Sequence, residues 1–288
     1  MNFPKQTILI TGATGGLGKV LARELANKSS TLILTARERE KLESLKKELE
    51  PLYEKIIIQP ANLLEDEDRR KIEELAKEAT ILINNAAIFG PDIKSVGERD
   101  LNEESNINKL NVQVPGRLSF FALSNMRDKK YGRIINVGST SGVFKYTGRS
   151  SYSCSKIALL RQTETVNQEI IESIGGDYKD KETDKYIDIF AFYLAPGPME
   201  SSKSAEEVIL KRAESLKVSR DEMAEKYKMY ENANTGEKTM LDSKAVVEKV
   251  IEILKPLGQL EYKQRKEINE VITDFPPYSL IKKAKSQK

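Results

Sequence analysis

The apolar run Thr7–Ile10 leads directly into Thr11-Gly-Ala-Thr-Gly-Gly-Leu-Gly18, and a helical pattern begins inside that stretch, at Leu17–Ala26. Glycines at this density allow a sharp turn and let a helix lie close against the strand before it. A strand that passes straight into a helix cannot close a hairpin, so its neighbour in the sheet must be reached by a crossover and run parallel. The same alternation repeats. Strands are expected at Thr31–Thr35, Ile56–Ile58, Ile81–Ile83, Arg133–Val137 and Ile187–Leu194. Helices are expected at Glu38–Glu50, Asp66–Glu78, 103–127, Tyr152–Ile174 and Ser243–Leu254. In the first of these helices Leu42, Leu45 and Leu49 recur at helical spacing, with Glu43 four residues before Lys47. The pattern predicts an α/β chain with a doubly wound parallel sheet and helices on both faces.

At 288 residues, 39% hydrophobic and 32% charged, the chain suits one large domain with a real core. A net charge of +3 with few aromatics argues against nucleic acid as a partner. The single cysteine, Cys154, excludes an internal disulfide and a Cys-rich metal site. Histidine is absent, which removes Ser-His-Asp and Cys-His nucleophilic triads, histidine zinc sites and histidine bases. Acid/base work then falls to a perturbed Tyr, Lys, Asp or Glu. No segment reaches the ~20 apolar residues of a membrane span, so no stable membrane insertion is expected. With the first strand so near Met1 and no room for a signal peptide, a cytoplasmic location is expected.

The glycine turn has a specific chemical use. Gly12 permits the tight turn, Gly16 lets a pyrophosphate approach the backbone, and Gly18 permits close helix–strand packing, with Thr14 and Leu17 flanking the phosphates. The free N–H groups and the macrodipole at the helix start favour an anion. Gly12, Gly15 and Gly18 also fit G-x-x-G-x-x-G, so the spacing alone leaves a second reading open. At the end of the second strand, where an acidic residue would accept hydrogen bonds from the ribose hydroxyls of NAD, stand Ala36 and Arg37. A guanidinium there can bind a 2′-phosphate through two parallel bonds, which favours NADP(H) over NAD(H). Tyr152 and Lys156 lie four apart on one helical face. A phenol near pKa 10 is a poor base at neutral pH, and an adjacent ammonium is expected to lower it. Tyr152 could then exchange a proton with a carbonyl oxygen, while Ser139, thirteen residues earlier, polarises the same oxygen.

Thr11–Gly18, Asn136-Val-Gly-Ser139 and Tyr152-Ser-Cys-Ser-Lys156 together resemble the single-domain short-chain dehydrogenase/reductase family, and residues 5 to about 200 follow its pattern. The resemblance implies a Rossmann fold and hydride transfer between a nicotinamide cofactor and a small-molecule carbonyl or alcohol. It implies that Asn111 holds a water relaying protons to Lys156, and that Lys156 also grips the nicotinamide ribose. It places Asn62 and Leu63 beside the adenine, with Asn replacing the family's Asp. Asn84-Asn85-Ala86-Ala87 falls beside the nicotinamide ribose, with Ala87 replacing a glycine. Pro196 and Gly197 form a turn whose hydroxyl partner for the carboxamide maps onto Ser201. A homodimer through the long helices at 103–127 and 152–174 is also implied.

The whole chain, 1–288, reads as one domain with a core at 5–200 and 241–256. Residues 201–240 read as charged substrate-loop helices, and 257–288 as a divergent C-terminal extension ending in a lysine-rich tail. The polar loop Gly175–Lys185 looks like an insertion. Phe89, Phe144, Tyr146, Thr147 and Met199 are candidate pocket walls whose apolar character hints at a hydrophobic ketone or aldehyde. Two other functions fit parts of this pattern: an epimerase or dehydratase that retains NAD, and a nucleotide-sensing protein acting through residues 200–240.

Overall fold

The computed structural model describes residues 5–26, 30–90, 100–143, 148–173, 187–197, 199, 209–210, 213–214, 217–227, 230–231, 238–239 and 243–254. Six strands form one sheet: β1 (Thr7–Thr11), β2 (Thr31–Ala36), β3 (Lys55–Pro60), β4 (Ile81–Asn84), β5 (Tyr131–Val137) and β6 (Asp188–Leu194). Their order is β3-β2-β1-β4-β5-β6, and every neighbouring pair is parallel. Each expected strand is present, extended by a residue or two in most cases. The runs are rich in Ile, Leu and Thr and buried on both faces, as a sheet covered by crossover helices requires.

Alternate residues of a strand feed opposite layers. Ile8 and Ile10 join Leu32 and Leu34 in a core closed by α1 (Gly16–Glu24), α2 (Arg39–Leu49) and α8 (Ser243–Leu254). Leu9, Ile33 and Leu82 point the other way, against α3 (Asp66–Ala76), α5 (Val114–Lys129) and α6 (Ser150–Ser173). The order reverses between β1 and β4, which is where a ligand crevice opens beyond the carboxyl ends of the strands.

Two stretches differ from expectation. The helix expected over 103–127 is three pieces: α4 (Leu101–Asn108), a π turn at Lys109–Gln113, and α5. Pro115 has no N–H, so the ordinary bond back to the Asn111 carbonyl cannot form, and a wider turn takes up the difference. The charged region 201–240, expected to hold helices alone, contains α7 (Arg220–Tyr227) and then a short antiparallel pair, β7 (Tyr230–Glu231) with β8 (Lys238–Thr239). There Ile209, Ala213, Met223 and Ala224 form a small apolar cluster of their own. The 175–185 loop and the 257–288 extension lie outside the described residues.

Arg133 sits fully buried in β5, at the sheet edge opposite the crevice. Its Nε donates to the Ile253 carbonyl at 2.8 Å and a terminal nitrogen donates to Asp188 Oδ2 at 2.8 Å. The guanidinium lies 4.7 Å from the Tyr131 ring centroid, and the Tyr131 hydroxyl donates to the Leu254 carbonyl at 2.8 Å. A cation at the carboxyl end of α8 satisfies carbonyls that have no helical partner and complements the dipole. One side chain thus ties β5, β6 and the last helix together. Removing it would break the ties to Asp188 and Ile253 and leave a cavity in the core, so Arg133→Ala should lower the unfolding free energy by about 3–5 kcal/mol. Urea denaturation checks this, and a loss of about 1 kcal/mol or less would contradict it.

Candidate active site

The glycine turn is welded to the end of β4. Gly12 has φ of +64°, and a Cβ there would lie 2.9 Å from the Ala86 Cα. At Gly18 a Cβ would lie 2.3 Å from the Gly12 carbonyl oxygen, so α1 can approach β1 only without one. The Asn85 amide donates to the Thr11 and Gly12 carbonyls, each at 3.0 Å, while the Thr11 hydroxyl accepts from the Asn85 and Ala86 N–H groups at 3.0 Å. The Asn85 side chain therefore builds the crevice floor. α1 begins at Gly16 behind an N-cap, Gly15, that offers no side-chain bond, and its first turn holds no acid. Gly15 and Gly16 are exposed, Thr14 is half-buried, and Leu17 is buried in the core. This uncapped helix start fits a phosphate.

Arg37 is exposed immediately after β2 and pairs with no carboxylate among the described residues, whereas Arg39 faces Glu43 at 3.8 Å and Lys41 bonds Glu38. Ala36 pairs with Pro60 in register, so Arg37 and Asn62 flank the same rim. The Asn62 side-chain oxygen accepts from Leu64 N–H at 3.3 Å, which leaves its amide hydrogens free to face a ligand. Leu63 is 6% exposed and belongs to the apolar core.

Beyond the ends of β5 and β6 the chemical groups converge. Ser139 follows β5, and its Oγ accepts from Ser141 N–H at 3.1 Å. Its hydroxyl stands close enough to that of Tyr152 to oppose in part the upward shift of the phenol. Tyr152 and Lys156 stand on α6 at 3% and 2% exposure, with the ammonium nitrogen 5.5 Å from the phenol ring centroid. Lys156 Nζ donates to the Val137 carbonyl at 2.8 Å. Phe89 stacks on Tyr152, centroids 4.8 Å apart. The Pro196 carbonyl accepts from Thr140 N–H at 3.1 Å, which ties the Pro-Gly turn at 196–197 to this segment.

Asn111 is buried within the π turn. Its amide donates to the Ile88 carbonyl at 2.8 Å and to Ser155 Oγ at 3.0 Å, and its Oδ1 accepts from Ile88 N–H at 2.9 Å. The side chain thus braces the loop after β4 against α6.

The expected direction of the tyrosine shift is not what the structure gives. Burial pushes Tyr152 up to about 12, with the Ser139 hydroxyl and the charge of Arg149 opposing only in part. Burial also holds Lys156 down to about 7, so near neutral pH it is only partly charged and cannot pull the phenol down by itself.

The pocket beside Tyr152 is lined by Phe89 and Ile107, but also by Asp100, Glu103, Glu104 and Arg149. Among the described residues its lining mixes apolar and charged side chains. Met199 packs into the opposite core near Ser243 instead of lining this pocket. Phe144, Tyr146, Thr147 and Ser201 lie outside the described residues. Sequence reasoning missed Arg149, Ser155 and Tyr193, whose hydroxyl bonds the Ser139 backbone. A tyrosine inside the otherwise apolar run Ile189–Leu194 was the available signal.

A model of the short chain dehydrogenase family matches residues 6–174. The 3-oxoacyl-[acyl-carrier-protein] reductase FabG of Rickettsia conorii is 33% identical over 165 residues, 57% of this chain and 66% of that protein. The match therefore spans just under two thirds of that relative. The NADP-dependent 3-hydroxy acid dehydrogenase of Schizosaccharomyces pombe is 35% identical over 178 residues, 58% of this chain and 67% of its own. Among solved structures, NAD+-bound xylitol dehydrogenase superposes with a TM-score of 0.72 at 20% identity, covering 88% of this chain and 94% of that one. A short-chain dehydrogenase from Sphingobium yanoikuyae in complex with NADPH gives 0.66 at 18% identity, covering 98% and 94%. At these identities the two structures establish the fold alone.

The buried lysine leaves a mark on stability. Between pH about 7 and 10.5 an unfolded Lys156 holds a proton that the folded one has lost, so its contribution to stability rises with pH through that window. Unfolding free energies of the wild type and Lys156→Met, compared at pH 7 and pH 10, should show the wild type gaining on the variant at the higher pH. A difference independent of pH would contradict the buried, depressed lysine.

Proposed function

Because this chain belongs to the short-chain dehydrogenase family, we propose that it is an NADP(H)-preferring oxidoreductase that moves a hydride between nicotinamide and a carbonyl or alcohol, with Tyr152 as the acid/base. The observation that carries this reading is the convergence of Ser139, Tyr152 and Lys156 in one buried cluster beyond the sheet's carboxyl edge. Support for the cofactor class comes from the uncapped start of α1, the Gly12 turn and the crevice between β1 and β4. The unpaired Arg37 supports NADP(H), since a free guanidinium beside the adenine rim suits a 2′-phosphate.

Bound NADPH supplies the hydride. In the direction of reduction Tyr152 donates its proton to the substrate oxygen, and Ser139 donates a hydrogen bond to the same atom as negative charge develops there. A phenol held up by burial stays protonated at neutral pH, so the proton that reduction needs is in place, although a weaker acid gives it up less readily. For the return path the phenolate must be stabilised. Lys156 takes that role once ribose hydroxyls are available to its ammonium, together with the positive charge of the oxidised ring. The side chain of Asn111 is spent on Ile88 and Ser155, so a relaying water would rest on its main-chain carbonyl, which Pro115 leaves without its usual donor.

The pocket polarity bears on substrate. Asp100, Glu103, Glu104 and Arg149 share the described lining beside Tyr152 with Phe89 and Ile107, which supports a carbonyl or alcohol substrate of mixed polarity. A retained-NAD epimerase and a nucleotide sensor both have less support, because the first rests on the glycine spacing alone and the second has no chemical need for Ser139, Tyr152 and Lys156 together.

Tyr152→Phe should lower turnover about 10²- to 10⁴-fold while NADPH binding stays nearly unchanged. Normal steady-state rates in that variant would remove Tyr152 from the chemistry. Arg37→Asp should weaken NADPH at least about tenfold in fluorescence titration, the scale of a lost charge-assisted pair, and leave NADH little changed. Equal effects on both nucleotides would remove Arg37 as the phosphate reader.

A further inference from the structure

We propose that Tyr193 is a positioning residue that sets the orientation of Ser139, an inference that rests on the hydride-transfer reading above. Tyr193 lies in β6 opposite Asn136 of β5 and is 2% exposed. Its hydroxyl reaches across to the backbone just past the end of β5. It accepts from the Ser139 N–H at 3.1 Å and donates to the Ser139 carbonyl at 3.2 Å. A single oxygen therefore satisfies both main-chain groups of the residue whose side chain polarises the substrate.

The space for the phenol is made by glycines. A Cβ on Gly138 would lie 2.0 Å from Tyr193 Cζ, inside the ring, and a Cβ on Gly142 would lie 2.6 Å from its hydroxyl oxygen. Gly138 has negative φ, so its lack of a side chain serves the ring and not a left-handed turn. Burial raises the Tyr193 hydroxyl well above its usual range and keeps it a donor. Ser139 is thus held at three points: by Tyr193 on both main-chain groups, and by the Ser141 N–H on its Oγ. With the main chain fixed and the Ser141 N–H bonded to it, the Oγ is held where it can act on the Tyr152 hydroxyl. Preorganised donors depend on being held within a fraction of an ångström of the productive position. Without the Tyr193 hydroxyl a buried N–H loses its partner and the segment is free to shift.

The test is a double-mutant cycle on the purified full chain, with turnover, NADPH affinity and the pH dependence of kcat as readouts. Tyr193→Phe deletes one oxygen from filled space and should fold, as circular dichroism will verify. It should lower kcat roughly ten- to a hundredfold. NADPH affinity should stay unchanged, and the apparent pKa assigned to Tyr152 should move upward as its Ser139 partner is lost. In a Ser139→Ala background the same substitution should have little further effect, because Tyr193 acts through Ser139. Full turnover with an unmoved pH profile in Tyr193→Phe overturns the inference, as does a loss that multiplies with that of Ser139→Ala. Those outcomes leave the hydride-transfer reading intact. No turnover by the wild type on any carbonyl or alcohol would overturn that reading, and this inference with it.

Discussion

An amine and a phenol have been taken out of water side by side, and most of the candidate site is organised around that fact. Burial disfavours the charged form of each, so Tyr152 is driven toward the neutral phenol and Lys156 toward the neutral amine. The sheet makes this possible. Val137 ends β5 with a carbonyl available to Lys156 Nζ, and α6 lays the two side chains one turn apart over that edge. The pair is therefore set against its own chemistry until a ligand brings hydroxyls and positive charge into the crevice. On the function proposed above, that dependence would link binding to reactivity, because Lys156 would both hold the nucleotide and be charged by its arrival.

A second layer holds these groups still. Asn111 braces the loop after β4 against Ser155, Asn85 locks the glycine turn to β4, and Tyr193 locks Ser139 to β6. None of the three side chains needs to meet the substrate to matter. Each bonds main-chain groups, Asn111 also the Ser155 hydroxyl, which is how a loop-borne site gains the rigidity of the elements beneath it. The π turn belongs to the same layer. It turns Asn111 inward at a point where Pro115 forbids an ordinary helix, and such single-turn bulges recur at functional sites.

Much of this was legible in the sequence, and the limits are instructive. The strands were readable because Ile8–Ile10 and Leu32–Leu34 are unbroken apolar runs, and because the glycines between Gly12 and Gly18 mark a turn straight into a helix. Tyr152 and Lys156 announce themselves by falling one helical turn apart. Arg133 does not, because its partners, Asp188 and Ile253, lie far along the chain and nothing local separates a buried arginine from an edge one. Tyr193 is hidden for the same reason, its partner glycines being on another strand's exit. The direction of the Tyr152 shift was misjudged because adjacency in a helix gives the distance between two charges and not the depth at which they lie. Desolvation, which a sequence does not display, wins over the neighbouring amine.

The central claim is that Tyr152 is a high-pKa phenol in the free protein and becomes a usable base only when the oxidised nucleotide is bound. Ultraviolet difference titration measures it directly, following tyrosinate absorbance with pH and subtracting the Tyr152→Phe variant, with and without saturating NADP+. The account predicts no Tyr152 phenolate up to about pH 10 in the free protein, and its appearance at least about one pH unit lower in the complex. A Tyr152 signal that titrates identically in both states would contradict it.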